Sequence, residues 1–172
     1  MLQRTDVQVR AGREEDLAAL TEIYNHYIRE TPITFDIDPV TPDERRPWLL
    51  SHPEDGPHRL LVAQPAGDGR ILGYATSSPF RPKAAYATSV ETSIYLSPEA
   101  GGRGIGTLLY AALFEVLADE DVHRAYAGVT LPNEASIRIH QRFGFQQIGV
   151  YEEVGRKFGT YHDVAWLEKR LS

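Results

Sequence analysis

The chain has 172 residues, a size for one compact domain with a substantial core. It has no cysteine, which excludes disulfide frameworks, thiolate metal sites and a cysteine nucleophile, and which fits a reducing cytoplasm. Eighteen Lys and Arg against 24 Asp and Glu give a net charge of −6, which opposes nucleic-acid binding and favours a small substrate or another protein as partner.

Along the chain, the first residues carry Arg4, Asp6, Arg10, Arg13, Glu14 and Glu15 without a long apolar run, so neither a signal peptide nor a membrane span is expected. Val7 and Val9 alternate as a short strand. Leu17, Leu20, Ile23, Tyr24 and Tyr27 then recur at helical spacing, which predicts a helix from about Glu14 to Arg29. Pro32, Pro39, Pro42 and Pro47 break up Thr31 to Trp48 into an irregular loop, followed by a short helix around Asp43 to Ser51. Arg59 to Gln64 and Ile71 to Ser77 read as a hairpin about Gly67-Asp68-Gly69. Tyr86 to Leu96 reads as a longer strand, with Val90, Thr92, Ile94 and Leu96 on one face and Glu91, Ser93 and Tyr95 on the other.

After the glycine-rich segment Gly101 to Gly106, Leu109, Leu113, Val116 and Leu117 outline an amphipathic helix to about Asp119. Tyr126 to Leu131 reads as a strand. Pro132-Asn133 opens another helix, which Gly144 stops. Gln146 to Tyr151 and His162 to Lys169 read as closing strands. The order β-α-(loop/helix)-β-β-β-α-β-α-β-β predicts a single α/β domain over residues 1–172, with a mixed twisted sheet flanked by helices. The six histidines are dispersed, and no metal site is expected.

The glycine-rich segment lies between a strand and a helix, where glycines let backbone approach a ligand and free helix amides point toward an anion. A phosphate is its natural guest, and a purely structural turn is the alternative. Two familiar phosphate motifs fail on spacing: Thr107 stands where a P-loop needs lysine, and no G-x-G-x-x-G is present. The run Arg103-Gly104-Ile105-Gly106, with Tyr-Leu-Ser-Pro before it and a helix after it, resembles the pyrophosphate loop Q/R-x-x-G-x-G/A of GNAT superfamily N-acetyltransferases. Gly101 departs from that pattern at its first position, and Arg103 is the neighbour that can supply the missing side chain. Pro132-Asn133-Glu134-Ala135-Ser136, His140 and Phe143-Gly144-Phe145 resemble the second cofactor segment of the superfamily.

Histidine at position 140, where tyrosine is common, is a feature of the phosphinothricin/methionine sulfoximine acetyltransferase branch. So are Ile23-Tyr24-Asn25-His26-Tyr27, Pro79-Phe80-Arg81, Glu91 to Pro98 and Lys157 to Val164. The resemblance implies the GNAT fold and acetyl-CoA as cosubstrate, held by Ile94, Tyr95, Leu96, Gly102, Arg103, Gly104, Ile105, Gly106, Thr107, Asn133 and Ser136. It implies Glu91 as general base and His140 either as proton donor to the leaving thiolate or as holder of the base and its water. Backbone N–H groups around Tyr95 and Leu96 would meet the oxyanion. Arg81 and Lys83 would take the substrate's oxygens, and Phe35 and Tyr86 would form its apolar wall. The lysine at 83, where arginine is frequent, lacks bidentate geometry.

Read without the resemblance, Asn133 is a helix cap, His140 a half-buried helix residue, Glu91 a solvated strand residue and Arg81 with Lys83 a solvated loop. The implied substrate is a small amino-acid analogue: phosphinothricin, methionine sulfoximine or methionine sulfone. Acetylation of a protein N-terminus or another amine is the enzymatic alternative, and an acetyl-CoA-binding module without turnover is the third reading. The branch also implies a homodimer, to which Phe158, Tyr161 and Trp166 either contribute or prefer the domain's own core.

Overall fold

The computed structural model describes residues 6–172, so Arg4 lies outside the described residues. Strands β1 (Val7–Ala11), β2 (Leu60–Pro65), β3 (Gly73–Pro79), β4 (Ser89–Leu96), β5 (Arg124–Thr130), β6 (Gln146–Lys157) and β7 (Thr160–Arg170) form one sheet in the order β1-β2-β3-β4-β5-β7-β6. Among the described residues only β4 and β5 pair in parallel. Helices α1 (Leu17–Glu30), α2 (Pro42–Leu50), α3 (Ile105–Leu117) and α4 (Glu134–Arg142) complete the α/β fold expected from the sequence.

Two apolar layers hold the helices to opposite faces of the sheet. On one face Leu109, Tyr110, Leu113 and Leu117 of α3 pack on Ala63, Ala75, Val90 and Ala125, and Ile137 and Ile139 of α4 join them. On the other, Leu17, Leu20 and Ile23 of α1 and Leu49 of α2 pack on Leu60, Val62 and Tyr74. The alternation expected in β4 holds, since Val90 and Ile94 belong to the first layer and Tyr95 to the second. Arg10 fixes the start of α1: its guanidinium donates to both oxygens of the buried Asp16 carboxylate at 2.8 Å.

Several boundaries differ from expectation. Glu14–Asp16 forms a 3-10 turn before α1, because Asp16 turns back to accept the Arg13 N–H at 2.8 Å. Helix α2 matches the short helix expected around Asp43 to Ser51, Pro47 included; a Thr41–Glu44 capping box starts it at Pro42, and it tolerates the one amide that Pro47 lacks. Tyr86 stands outside β4, in a 3-10 turn Ala84–Tyr86. The closing strands are longer than their apolar pattern, because β6 runs past register shifts between Gln147 and Gly149 and between Tyr151 and Gly155. They meet in a tight turn in which Phe158 (φ 53°) and Gly159 (φ 71°) are both left-handed.

Candidate active site

The sheet opens at its one parallel pair. Pairing of β4 with β5 runs Ser89↔Arg124, Val90↔Ala125, Glu91↔Tyr126 and ends there. Beyond that row β4 stays with β3 to Leu96, and β5 stays with β7 to Thr130. Ser97 N–H donates to Leu72 O across the β3 side at 2.8 Å. Alternation along a strand therefore turns the N–H groups of Leu96 and Ile94 toward the opened side. The Leu96 carbonyl faces that side too, where it accepts the Tyr27 hydroxyl at 2.6 Å.

The opening leads into a cleft of about 380 Å³ whose walls include Ile94, Leu96, Ile105, Gly106, Thr107, Asn133, Ser136 and Ile139. At its inner end a cavity of about 50 Å³ continues past Ser93, Tyr95, Gly128 and His140. Gly102 (φ 75°) and Gly104 (φ 74°) adopt left-handed backbone to bring the chain into α3, and no side chain caps that helix. Leu108 N–H is bonded to Gly104 O at 3.2 Å, so the amides of Ile105, Gly106 and Thr107 precede the helical ladder. A Cβ on Gly106 would stand 3.0 Å from Ile139 Cδ1 and 3.3 Å from Ile94 Cδ1, so only glycine keeps this end of the cleft wide. Arg103 is exposed beside it.

Asn133 Oδ1 accepts the Ser136 N–H at 3.1 Å, so the residue does cap α4 while it lines the cleft. His140 is fully buried rather than half-buried. Its Nδ1 lies 2.7 Å from Ser136 O, which only accepts, so Nδ1 carries the proton and Nε2 accepts the Tyr110 hydroxyl at 2.8 Å. Burial lowers the pKa of the imidazole, against a smaller upward pull from the Ser136 carbonyl. A neutral ring with both nitrogens engaged results. Tyr110, deep in the α3 layer, was not legible as a site residue, because its helical spacing marks it simply as core.

Glu91 stands at the last paired row before the opening. Desolvation raises its pKa, and the Arg81 guanidinium opposes that rise. Arg81 lies over the Phe80 ring at 4.2 Å, Phe80 stacks on Tyr126 at 4.3 Å, and Tyr86 meets Phe80 edge-on at 5.8 Å. Arg81 is exposed, and its guanidinium also stacks on the Phe80 ring. Lys83 is exposed and precedes the Ala84–Tyr86 turn. Phe35 belongs to a different cluster: its ring lies against Gly155 of β6 and 6.3 Å from the His162 ring of β7. The buried Lys157 ties the same loop down by donating to Thr34 O at 2.8 Å. Among the described residues, no group of three or more His, Cys, Asp or Glu is placed to hold a metal ion.

A parallel strand pair that parts beside free helix amides, with a carboxylate at the fork, makes a cleft suited to a phosphate-bearing ligand. A family model described as an acetyltransferase (GNAT) domain matches residues 9–166, and the chain belongs to that family of N-acetyltransferases. It is 70% identical over 166 residues to a phosphinothricin N-acetyltransferase of Streptomyces coelicolor, covering 96% of this chain and 97% of that one. It is 32% identical to an L-methionine sulfoximine/L-methionine sulfone acetyltransferase of Pseudomonas paraeruginosa, covering 95% of this chain and 94% of the relative. A phosphinothricin acetyltransferase of Sinorhizobium meliloti, solved in complex with acetyl-CoA, superposes with a TM-score of 0.90 at 30% identity, covering 97% of this chain and 89% of that one.

Proposed function

We propose that this enzyme transfers the acetyl group of acetyl-CoA to the α-amine of a small amino acid of the phosphinothricin or methionine sulfoximine type. The observation that carries the reading is the 70% identity, across 96% of the chain, to a phosphinothricin N-acetyltransferase. The cleft fits the cosubstrate on its own terms. Free amides of Ile105, Gly106 and Thr107 suit a pyrophosphate, and the apolar passage between Ile94 and Ile139 suits a pantetheine arm. When bound there, acetyl-CoA supplies the acetyl group activated as a thioester.

The chain's own residues supply the rest. An α-amine has an unperturbed pKa of about 7.7 to 8.0, so a mild base suffices, and Glu91 at the fork takes the proton directly or through water. N–H groups of Ile94 and Leu96 turned toward the opening suit the developing oxyanion. His140, neutral, fixes Tyr110 and the Ser136 backbone and so shapes the inner cavity, a positioning role in place of proton donation. Asn133 and Ser136 line the cosubstrate's path, and Arg103, exposed beside it, offers a cation to the pyrophosphate. Arg81 and Lys83 hold the substrate carboxylate, with Tyr86 as an apolar neighbour.

A homodimer built on β6 belongs to the same reading. Ile148, Tyr151, Val154, Phe158 and Tyr161 of the β6–β7 hairpin are exposed and apolar or aromatic, whereas Trp166 packs over Gly128 within its own chain. The absence of cysteine fits a cytoplasmic site of action; among the described residues no helix is long and apolar enough to cross a membrane.

Release of CoA thiol from acetyl-CoA tests the function, with L-phosphinothricin, methionine sulfoximine, methionine sulfone, methionine, glutamate and a short peptide as acceptors. The highest kcat/KM on the first three acceptors, with slower turnover of plain amino acids and none of the peptide, is expected, with Glu91→Gln slower by roughly 10²- to 10⁴-fold. Turnover on the peptide alone would move the substrate to protein N-termini, and binding without turnover would leave only an acetyl-CoA-binding module.

A further inference from the structure

A second pocket, of about 280 Å³, lies on the α1–α2 face of the sheet and shares Ser93 and Tyr95 with the inner end of the cleft. Its floor is Arg45. The guanidinium is sandwiched 3.8 Å from the Tyr24 ring and 3.8 Å from the Trp48 ring, donates to the Tyr74 hydroxyl at 3.1 Å, and is 9% exposed. Among the described residues no carboxylate pairs with it, and its buried Nε has no hydrogen-bond partner. Asp36, at the rim, is engaged by the Tyr24 hydroxyl. A buried cation without a counter-charge, with a donor left over beside an open pocket, is a poor end state unless an anion or oxygen cluster completes it.

Register fixes where such a group would come from. The pocket follows the rows Tyr74↔Tyr95, Thr76↔Ser93 and Ser78↔Glu91, so Arg45 and Glu91 mark its two ends. Those rows span roughly 13 Å of strand. Side chains reaching inward from both ends leave room for one small amino acid.

We infer that this pocket takes the side chain of the amino-acid substrate and that Arg45 receives its terminal oxygens, such as a phosphinate, sulfoximine or sulfone. The inference rests on the acetyltransferase reading above and adds a residue that discriminates among acceptors. Arg81 and Lys83, on the other side of Glu91, are then left for the α-carboxylate. Planar donors on a preorganised stack select an oxygen cluster at a fixed distance from the amine.

The test pairs two acceptors with two enzymes: L-phosphinothricin and norvaline, which has a short side chain without terminal oxygens, with wild type and Arg45→Met. The expected result is a kcat/KM loss of roughly 30-fold on phosphinothricin and less than about threefold on norvaline. Equal losses on both acceptors would make Arg45 a purely structural cation and overturn the inference, as would no loss on either. Thr76→Leu, which adds bulk to the pocket from β3, guards against an Arg45 variant that does not fold. It should penalise phosphinothricin and spare alanine, and equal effects on the two would again overturn the inference. Failure of the underlying reading looks different: wild type itself would then release no CoA with any amino acid.

Discussion

At the scale of single residues, the fork of the sheet sets up an electrostatic contest at Glu91. Burial pushes its pKa up and Arg81 pulls it down. The base must be ionised to accept a proton, so kcat/KM should fall on the acid side as pH drops through that raised value. Arg81→Met removes the opposing cation, and the acid limb should then move to higher pH; a limb that stays in place or moves down would show that another group titrates there. Little of this was legible in the sequence. A glutamate on a strand and an arginine among prolines are ordinary surface residues, and only the likeness to a family singled them out. Arg45 was invisible for a physical reason: the rings that enclose it come from positions 24, 48 and 74, and local composition cannot report a stack assembled from three elements. His140 was legible by position but not by state, because the Tyr110 hydroxyl that engages its Nε2 and helps to bury it lies 30 residues away.

At the scale of elements, the glycine turn and α3 carry the cosubstrate end of the site. Gly106 is the narrow point between Ile94 and Ile139, so Gly106→Val should raise the KM for acetyl-CoA by roughly tenfold, equivalent to about 1.4 kcal/mol of binding. Steady-state kinetics with a thermal melt as control checks this, since unchanged affinity would mean that the cosubstrate does not pass here. The helices with regular apolar spacing were readable to within a few residues, and so was the strand–turn–helix order around the glycines. The strand expected over Gln146 to Tyr151 stops short: the second half of β6 is polar and interrupted, and an edge strand that shifts register has no single buried face to show.

At the scale of the whole molecule, the order of elements was legible because each apolar run has a length and period of its own, whereas the pairing order, with β7 between β5 and β6, rests on contacts far apart in sequence. That order leaves β6 at the sheet's edge with apolar side chains outward, an arrangement that isolated proteins avoid. Sedimentation should therefore report a species of twice the 19.3 kDa chain mass. Tyr151→Glu combined with Val154→Lys should convert it to the single-chain mass; a wild-type chain that sediments at 19.3 kDa would refute the dimer.

The backbone at Gly101 allows one more deduction. Unlike Gly102 and Gly104 it has an ordinary φ of −61°, and a Cβ there would meet nothing within 4 Å. The missing Gln or Arg of the pyrophosphate pattern is thus not forbidden by the fold, and the position is an open route for adaptation. Gly101→Arg should tighten acetyl-CoA binding several-fold and stiffen the unfolded chain for a gain of about 0.5 kcal/mol. Natural or laboratory selection for scarce cosubstrate would find an improvement here one substitution away.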